Sequence, residues 1–206
     1  MKISVCITGA SGVIIGFNLL KELLSDNHTN TITCVNLVIS QAGILTIKEE
    51  LGVSLSSNPN QIKTLVTSHL SIQYPDKLFC YGISDWYSPM ASGSSNIDTM
   101  VICPCSMSTL GKIAHGIGED LITRAADVIM KERKNLILVP RETPLSVVHL
   151  ENMTKLAKMN VSILPPMLEF YTHPKTIDDI INFNVSRILD QMNINNNLSP
   201  RWNTQQ

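Results

Sequence analysis

The chain has 206 residues, with 16 Lys and Arg against 17 Asp and Glu, for a formal net charge of −1; 44% of its residues are hydrophobic and only 16% are charged. That apolar content builds a sizeable core and excludes a globally disordered chain. The near balance of charge excludes a non-specific nucleic-acid binder, which draws on an excess of Lys and Arg.

The chain opens with Lys2–Thr8, an apolar run that reads as a buried strand, followed by a helix from Gly12 to about Leu24. Thr31–Ser40 reads as a second strand, leading into a helix that runs through Glu49 and Glu50. A polar loop over Gly52–Asn60 and a weaker helix over Gln61–Leu70 come next. Thr99–Cys103 reads as a third strand, followed by helices over Ser106–His115 and Glu119–Lys134. Asn135–Val139 is a fourth strand, Ser146–Met159 a helix and Val161–Leu164 a fifth strand. Ile177–Met192 closes the pattern with apolar residues at i, i+3 and i+4. Alternating strands and helices predict an α/β fold with a mainly parallel sheet. A single domain over 1–192 is expected, with a polar, Asn-rich tail over 193–206 that is loose or docked on a neighbour.

The N-terminal apolar stretch is too short for a signal-peptide core, and no run reaches the roughly eighteen apolar residues of a membrane span. The five cysteines are Cys6, Cys34, Cys80, Cys103 and Cys105. They read as reduced, mostly buried thiols of a cytoplasmic protein. Cys103-Pro104-Cys105 lacks the two-residue spacer of a zinc or thioredoxin motif, so no metal is expected. The low charge predicts surface hidden against other copies of the chain.

The first strand runs directly into Thr8-Gly9-Ala10-Ser11-Gly12. A glycine turn that opens a helix offers free N–H groups and partial positive charge to a phosphate. Its spacing is not the G-x-G-x-x-G of a dinucleotide site, and strand two ends in Ile39-Ser40 without the acidic residue that would hold a ribose. A mononucleotide such as FMN fits better than NAD. Two further clusters of small residues, Ala91–Ser95 and Cys105–Thr109, read either as partners of the first outside the carboxyl ends of the strands or as plain turns and helix caps.

Arg124 and Lys131 are seven residues apart and share a helix face. Arg124 also has Asp120 and Asp127 within ion-pair reach on its own helix. Arg141 and Glu142 follow strand four at its carboxyl end, where sites form. Among the histidines, His115 ends a helix, His149 lies in an apolar face, and His28, His69 and His173 read as loop or surface residues. Trp86, in a polar loop, reads either as a loop anchor or as an interface or flavin-edge contact.

Several blocks in order resemble the UbiX-type flavin prenyltransferases. They are Gly9-Ala10-Ser11-Gly12, Ala91-Ser92-Gly93-Ser94, Cys103-Pro104-Cys105-Ser106, Arg124-Ala125-Ala126-Asp127-Val128, Lys131-Glu132-Arg133 and Val139-Pro140-Arg141-Glu142. His149-Leu150-Glu151-Asn152-Met153, Phe170-Tyr171, Arg187-Ile188-Leu189 and Pro200-Arg201-Trp202 extend the likeness almost to the chain's end. The resemblance implies a flavodoxin-like, Rossmann-type three-layer sandwich, assembled as a homododecamer with FMN between subunits. The implied reaction alkylates reduced FMN at N5 and then C6 with dimethylallyl monophosphate, or the diphosphate in some relatives, without a metal. The product, prenylated FMN, serves a UbiD-type decarboxylase.

Carried over by position, Gly9, Ala10, Ser11, Ser40, Ser106, Met107, Ser108, Thr109 and Arg141 would contact FMN. Lys131, Arg141, Tyr171 and Arg187 would hold the dimethylallyl phosphate, with Arg124 in support and Ser92 and Trp86 bordering the prenyl group. The implied catalytic set is Glu50, Lys131, Arg141, Glu142 and Ser11, with Glu49 as the alternative to Glu50. Two stretches depart from the family: Val13-Ile14-Ile15 bears on packing, and Gly116-Ile117-Gly118-Glu119-Asp120 on loop geometry. In the absence of an Asp-rich metal run, Lys131, Arg141 and Arg187 can neutralise a departing phosphate as fixed cations. Other readings are an FMN-dependent decarboxylase of the cysteine-peptide or phosphopantothenoylcysteine type, whose early catalytic His has no counterpart here, and a non-catalytic flavin carrier.

Overall fold

A computed structural model describes residues 1–202. Six parallel strands make up the sheet: β1 (Lys2–Ile7), β2 (Cys34–Ile39), β3 (Leu78–Tyr81), β4 (Thr99–Cys105), β5 (Asn135–Pro140) and β6 (Ser162–Ile163). Their order is β3-β2-β1-β4-β5-β6, the doubly wound Rossmann-type order. Strand alternation divides the core into two layers. Ile3, Val5 and Ile7 of β1 pack with Val35, Leu37, Val101 and Ile137 on one face; Cys6, Val38, Ile102 and Leu138 point to the other. Both faces are covered, as a parallel sheet requires.

The first layer holds α1 (Val13–Leu23), α2 (Gln41–Leu51), α3 (Pro59–Leu70) and α7 (Ile177–Gln191). The second holds α4 (Met107–Ala114), α5 (Leu121–Lys131) and α6 (Val147–Ala157). Helix α1 lies hard against β4, because a Cβ on Gly16 would drive into the Cys103 carbonyl. Fully buried side chains such as Phe17, Leu19 and Leu20 are worth about 1.5–3 kcal/mol each in removed apolar surface. The three-layer sandwich is therefore as expected from the sequence.

Some boundaries differ. Strand β3 was not anticipated: it has four residues, sits at the sheet edge and leaves Phe79 exposed, so it carries no buried periodicity. Helix α3 begins at Pro59, inside the expected loop, because Asn58 caps it and proline suits the first helical position. Helix α5 starts later than expected, after Asp120, whose side chain forms a capping box with Thr123. The tail packs on its own chain: Ile194 is buried in the first layer, and Arg201 pairs with Asp190 on α7. No described helix is long and apolar enough to cross a membrane.

Candidate functional site

The strand order reverses between β1 and β4, where an open parallel sheet makes its ligand crevice. One hydroxyl welds the two strand ends together there. Thr8 Oγ1 donates to Pro104 O at 3.0 Å and accepts from Ser106 N at 2.7 Å, while Thr8 N donates to Pro104 O at 3.1 Å. Ser106 then caps α4, its Oγ accepting from Thr109 N at 3.2 Å and lying 3.0 Å from Thr109 Oγ1. Ser40 does the same for α2, accepting from Gly43 N at 3.0 Å. These caps leave N–H groups of Met107 and Ser108 on α4, and of Gln41 and Ala42 on α2, without a partner among the described residues. Unclaimed donors at a helix start suit a phosphate.

The anion expected at the start of α1 is supplied by the chain itself. Gly12 takes a left-handed conformation, φ 99°, which glycine tolerates. Its N–H donates to both carboxylate oxygens of Glu50, at 3.2 and 3.0 Å, and Val13 N donates to Glu50 Oε2 at 3.1 Å. Glu50, rather than Glu49, is thus the carboxylate turned to the glycine turn. A flavin phosphate is better served by α2, α4 and Arg141, which follows β5 exposed and with no ion-pair partner among the described residues. Glu142 is exposed beside it, its Oε1 accepting from Thr143 N at 3.1 Å. The residues assigned to FMN thus lie on the turns that leave β1, β2, β4 and β5, with Ala10 buried and Ser11 and Ser108 exposed.

The remaining predicted residues lie elsewhere. Helix α5 ends at Lys131, just before the amino end of β5, whereas Arg141 follows the carboxyl end of the same strand. Six residues of strand put the two cations ~20 Å apart along the strand direction. The cluster Ala91–Ser95 is likewise not at the carboxyl ends: Ser95 O accepts from Lys2 Nζ at 3.2 Å, at the opening of β1, and Gly93 abuts Glu132 and Lys131. Arg124 ties this loop to α5, donating through Nε to Ala91 O at 3.3 Å and through Nη1 to Asp127 at 2.8 Å. Lys131 pairs with Glu132, and that hydrogen bond with the lysine's charge holds the Glu132 carboxyl below its ordinary value.

Tyr171 and Arg187 form a third group, on α7 and the loop before it. The Tyr171 ring meets Phe183 and Trp202 edge-on, at 6.3 and 5.1 Å between centroids. Arg187 donates to Asp190 at 2.8 Å. Trp86 is 47% exposed beside a fully exposed Tyr87. Among the described residues no hydrogen bond or ion pair joins the three groups.

His28 lies in the loop after α1, one of the two places expected for it, and is buried there against Glu22 at 3.1 Å, because the turn folds it back onto the helix. His149 takes part in the cap of α6 with Ser146. Cys6, Cys103 and Cys105 are buried and free, and burial pushes all three thiols far above their ordinary value. The described residues hold no group of three His, Cys, Asp or Glu side chains suited to a metal. Thr8 and Asp190 had no signal in the sequence, since a lone hydroxyl at a strand end and a helix-end carboxylate belong to no pattern.

Residues 1–189 match the family described as Flavoprotein. The flavin prenyltransferase UbiX of Methanocaldococcus jannaschii is 45% identical over 204 residues, spanning 99% of this chain and 100% of that one. Among solved structures, a dodecameric FMN-dependent UbiX-like decarboxylase from Escherichia coli O157:H7 superposes with a TM-score of 0.84 at 39% identity, covering 98% of this chain and 99% of the other. AnUbiX (PadA1), in complex with FMN and dimethylallyl pyrophosphate, superposes at 0.82 with 36% identity, covering 100% of this chain and 98% of the other. With these likenesses running the length of both partners, the chain belongs to the flavoprotein family and, within it, to the UbiX-type flavin prenyltransferases.

Proposed function

We propose that this protein joins a dimethylallyl group from dimethylallyl phosphate to N5 and C6 of reduced FMN, in the cytoplasm, and passes prenylated FMN to a UbiD-type decarboxylase. The observation that carries the reading is the crevice at the β1–β4 switch point, where unclaimed N–H groups of α2 and α4 face the same strand ends as the unpaired Arg141. When bound there, reduced FMN supplies the nucleophilic N5 and C6 positions. Gly9, Ala10, Ser11, Ser40 and Ser106–Thr109 line the flavin, and Glu50 keeps the glycine turn fixed through Gly12 and Val13.

Lys131, Arg141, Arg187 and the Tyr171 hydroxyl hold the donor phosphate. As fixed cations and a donor they stabilise the charge that grows on the phosphate as the allylic C–O bond breaks. The indole of Trp86 and the hydroxyl of Ser92 border the prenyl chain, and an aromatic face shelters developing allylic cation character. The Glu142 carboxylate takes the proton lost from C6.

Lys131 and Arg141 lie at opposite ends of β5, so one copy cannot bring both to one phosphate. We infer that neighbouring copies complete each site, which also covers the exposed Trp86 and Tyr87. The dodecameric state of the Escherichia coli relative and the bound FMN and dimethylallyl pyrophosphate of AnUbiX support this reading. The test is anaerobic incubation of the purified protein with reduced FMN and dimethylallyl monophosphate, without added metal, followed by mass analysis of the extracted flavin. A gain of one C5 unit is expected. Unmodified FMN, with the diphosphate also inactive, would overturn the assignment.

A further inference from the structure

Arg187, assigned above to the donor phosphate, is already held by a carboxylate. Its Nη1 donates to Asp190 Oδ2 at 2.8 Å, three residues further along α7. The C-terminal tail claims the same carboxylate more fully. Arg201 Nη1 donates to Asp190 Oδ2 at 2.5 Å and Nη2 to Oδ1 at 2.8 Å, the two-bond fork in which arginine binds a carboxylate best. Asn196 Nδ2 adds a bond to Oδ1 at 3.2 Å, and Arg201 Nη2 also reaches Asn196 O at 3.1 Å. The next residue, Trp202, sets its ring against Tyr171. Two consecutive tail residues therefore engage Tyr171, in the loop before α7, and the carboxylate partner of Arg187 on α7.

The charges give this arrangement a consequence. Burial alone would raise the Asp190 carboxyl; the Arg201 hydrogen bonds and charge, with Asn196 and Arg187, outweigh it and hold the carboxyl below its ordinary value. Asp190 is thus an anion shared between Arg187 and Arg201. Without Arg201 the local charge falls by one, and an undivided carboxylate faces Arg187.

We propose that Arg201 is a positioning residue for the donor site: by forking onto Asp190 it leaves Arg187 steered by a single hydrogen bond, with its other N–H groups open to the donor's phosphate and less of the carboxylate's charge set against it. This rests on the reading of Arg187 as a phosphate ligand in a prenyltransferase. Glu169, which also interacts with Arg187, is common to every variant below and drops out of the comparison.

The test uses the assembled protein loaded with oxidised FMN, whose N5 is not nucleophilic, so that donor binding is read apart from turnover. Dimethylallyl monophosphate is titrated calorimetrically into wild type, Arg201→Gln, Asp190→Asn and the double variant, with FMN affinity and oligomer mass as controls for folding. Arg201→Gln is expected to weaken donor binding about fivefold, the scale of a part-exposed ion pair. Asp190→Asn is expected to bind at least as tightly as wild type. The double variant, with the local charge of wild type restored, is expected to return to within about twofold of wild type, a rescue that only coupled charges produce. A tail that merely staples α7 would leave the double variant as weak as Arg201→Gln, or weaker, and that result overturns the proposal; so does weakened binding in Asp190→Asn, which stands on its own if Arg201→Gln misfolds. Inorganic phosphate titrated in parallel separates the two claims. A wild type that binds it as well as the donor, and makes no prenylated flavin, refutes the prenyltransferase reading, while the order of affinities among the variants still tests Arg201.

Discussion

Thr8→Val removes one oxygen from the weld between β1 and β4 and leaves the side chain's shape unchanged. The residue is 1% exposed, so no water replaces the lost group. Pro104 O keeps its bond from Thr8 N, but it loses the hydroxyl donor at 3.0 Å. Ser106 N loses its acceptor at 2.7 Å. A lost neutral hydrogen bond costs about 1 kcal/mol and an orphaned N–H about 1–3, so about 3 kcal/mol is expected in all. For a chain of this length that lowers Tm by roughly 6–12 °C. Thermal unfolding of wild type and variant at one protein concentration measures it, because assembly makes Tm depend on concentration. FMN affinity should fall as well if, as proposed, the N–H groups of the helix that Ser106 starts take the phosphate. A Thr8→Val protein that melts within about 2 °C of wild type and binds FMN equally well would refute the role given to this hydroxyl.

Glu50→Gln removes the charge that caps α1 and is expected to cost about 0.5–2 kcal/mol of stability, whereas Glu49→Gln should change stability by less than about 0.5 kcal/mol; denaturant melts that rank the two the other way would reverse the assignment. The Asp190 carboxyl lies below its ordinary value when folded, so its pairing with Arg201 is fully present above the ordinary carboxylate range and is lost as pH falls through the lower, folded value. In a Trp86→Phe background, Trp202 fluorescence should therefore hold steady down through the ordinary range and change only below it, with no such acid step in Asp190→Asn. A step complete near neutral pH would contradict the ion pair.

The parts of the fold visible in the sequence are those buried on both sides. Strands β1, β2, β4 and β5 are continuous apolar runs because helices cover both of their faces. Strand β3 is not legible because an edge strand of four residues buries too little to leave a pattern, and β6 is only Ser162–Ile163, both half-buried. The crevice residues were readable because each directly follows a strand. The separation of Lys131 from Arg141 was implicit in the same order, since a helix that feeds a parallel strand must end at that strand's amino end. What no local pattern carries is tertiary: Thr8 bonding to a segment 96 residues away, and Arg201 folding back 11 residues to Asp190. The glycine turn that opens α1 reads in the sequence as a place for a phosphate; in the fold its N–H groups of Gly12 and Val13 are taken by Glu50, 38 residues further along the chain.

The division of the cation set between the two ends of β5 is tested most directly by subunit complementation. Lys131→Ala and Arg141→Ala chains, each expected to be inactive alone, are coexpressed with different tags, purified as mixed oligomers and assayed for prenylated FMN by mass. Sites built from neighbouring copies predict that activity returns, because some sites then draw an intact Lys131 from one chain and an intact Arg141 from another. Mixed oligomers that form with both tags yet make no more prenylated FMN than either parent would contradict a site shared between copies.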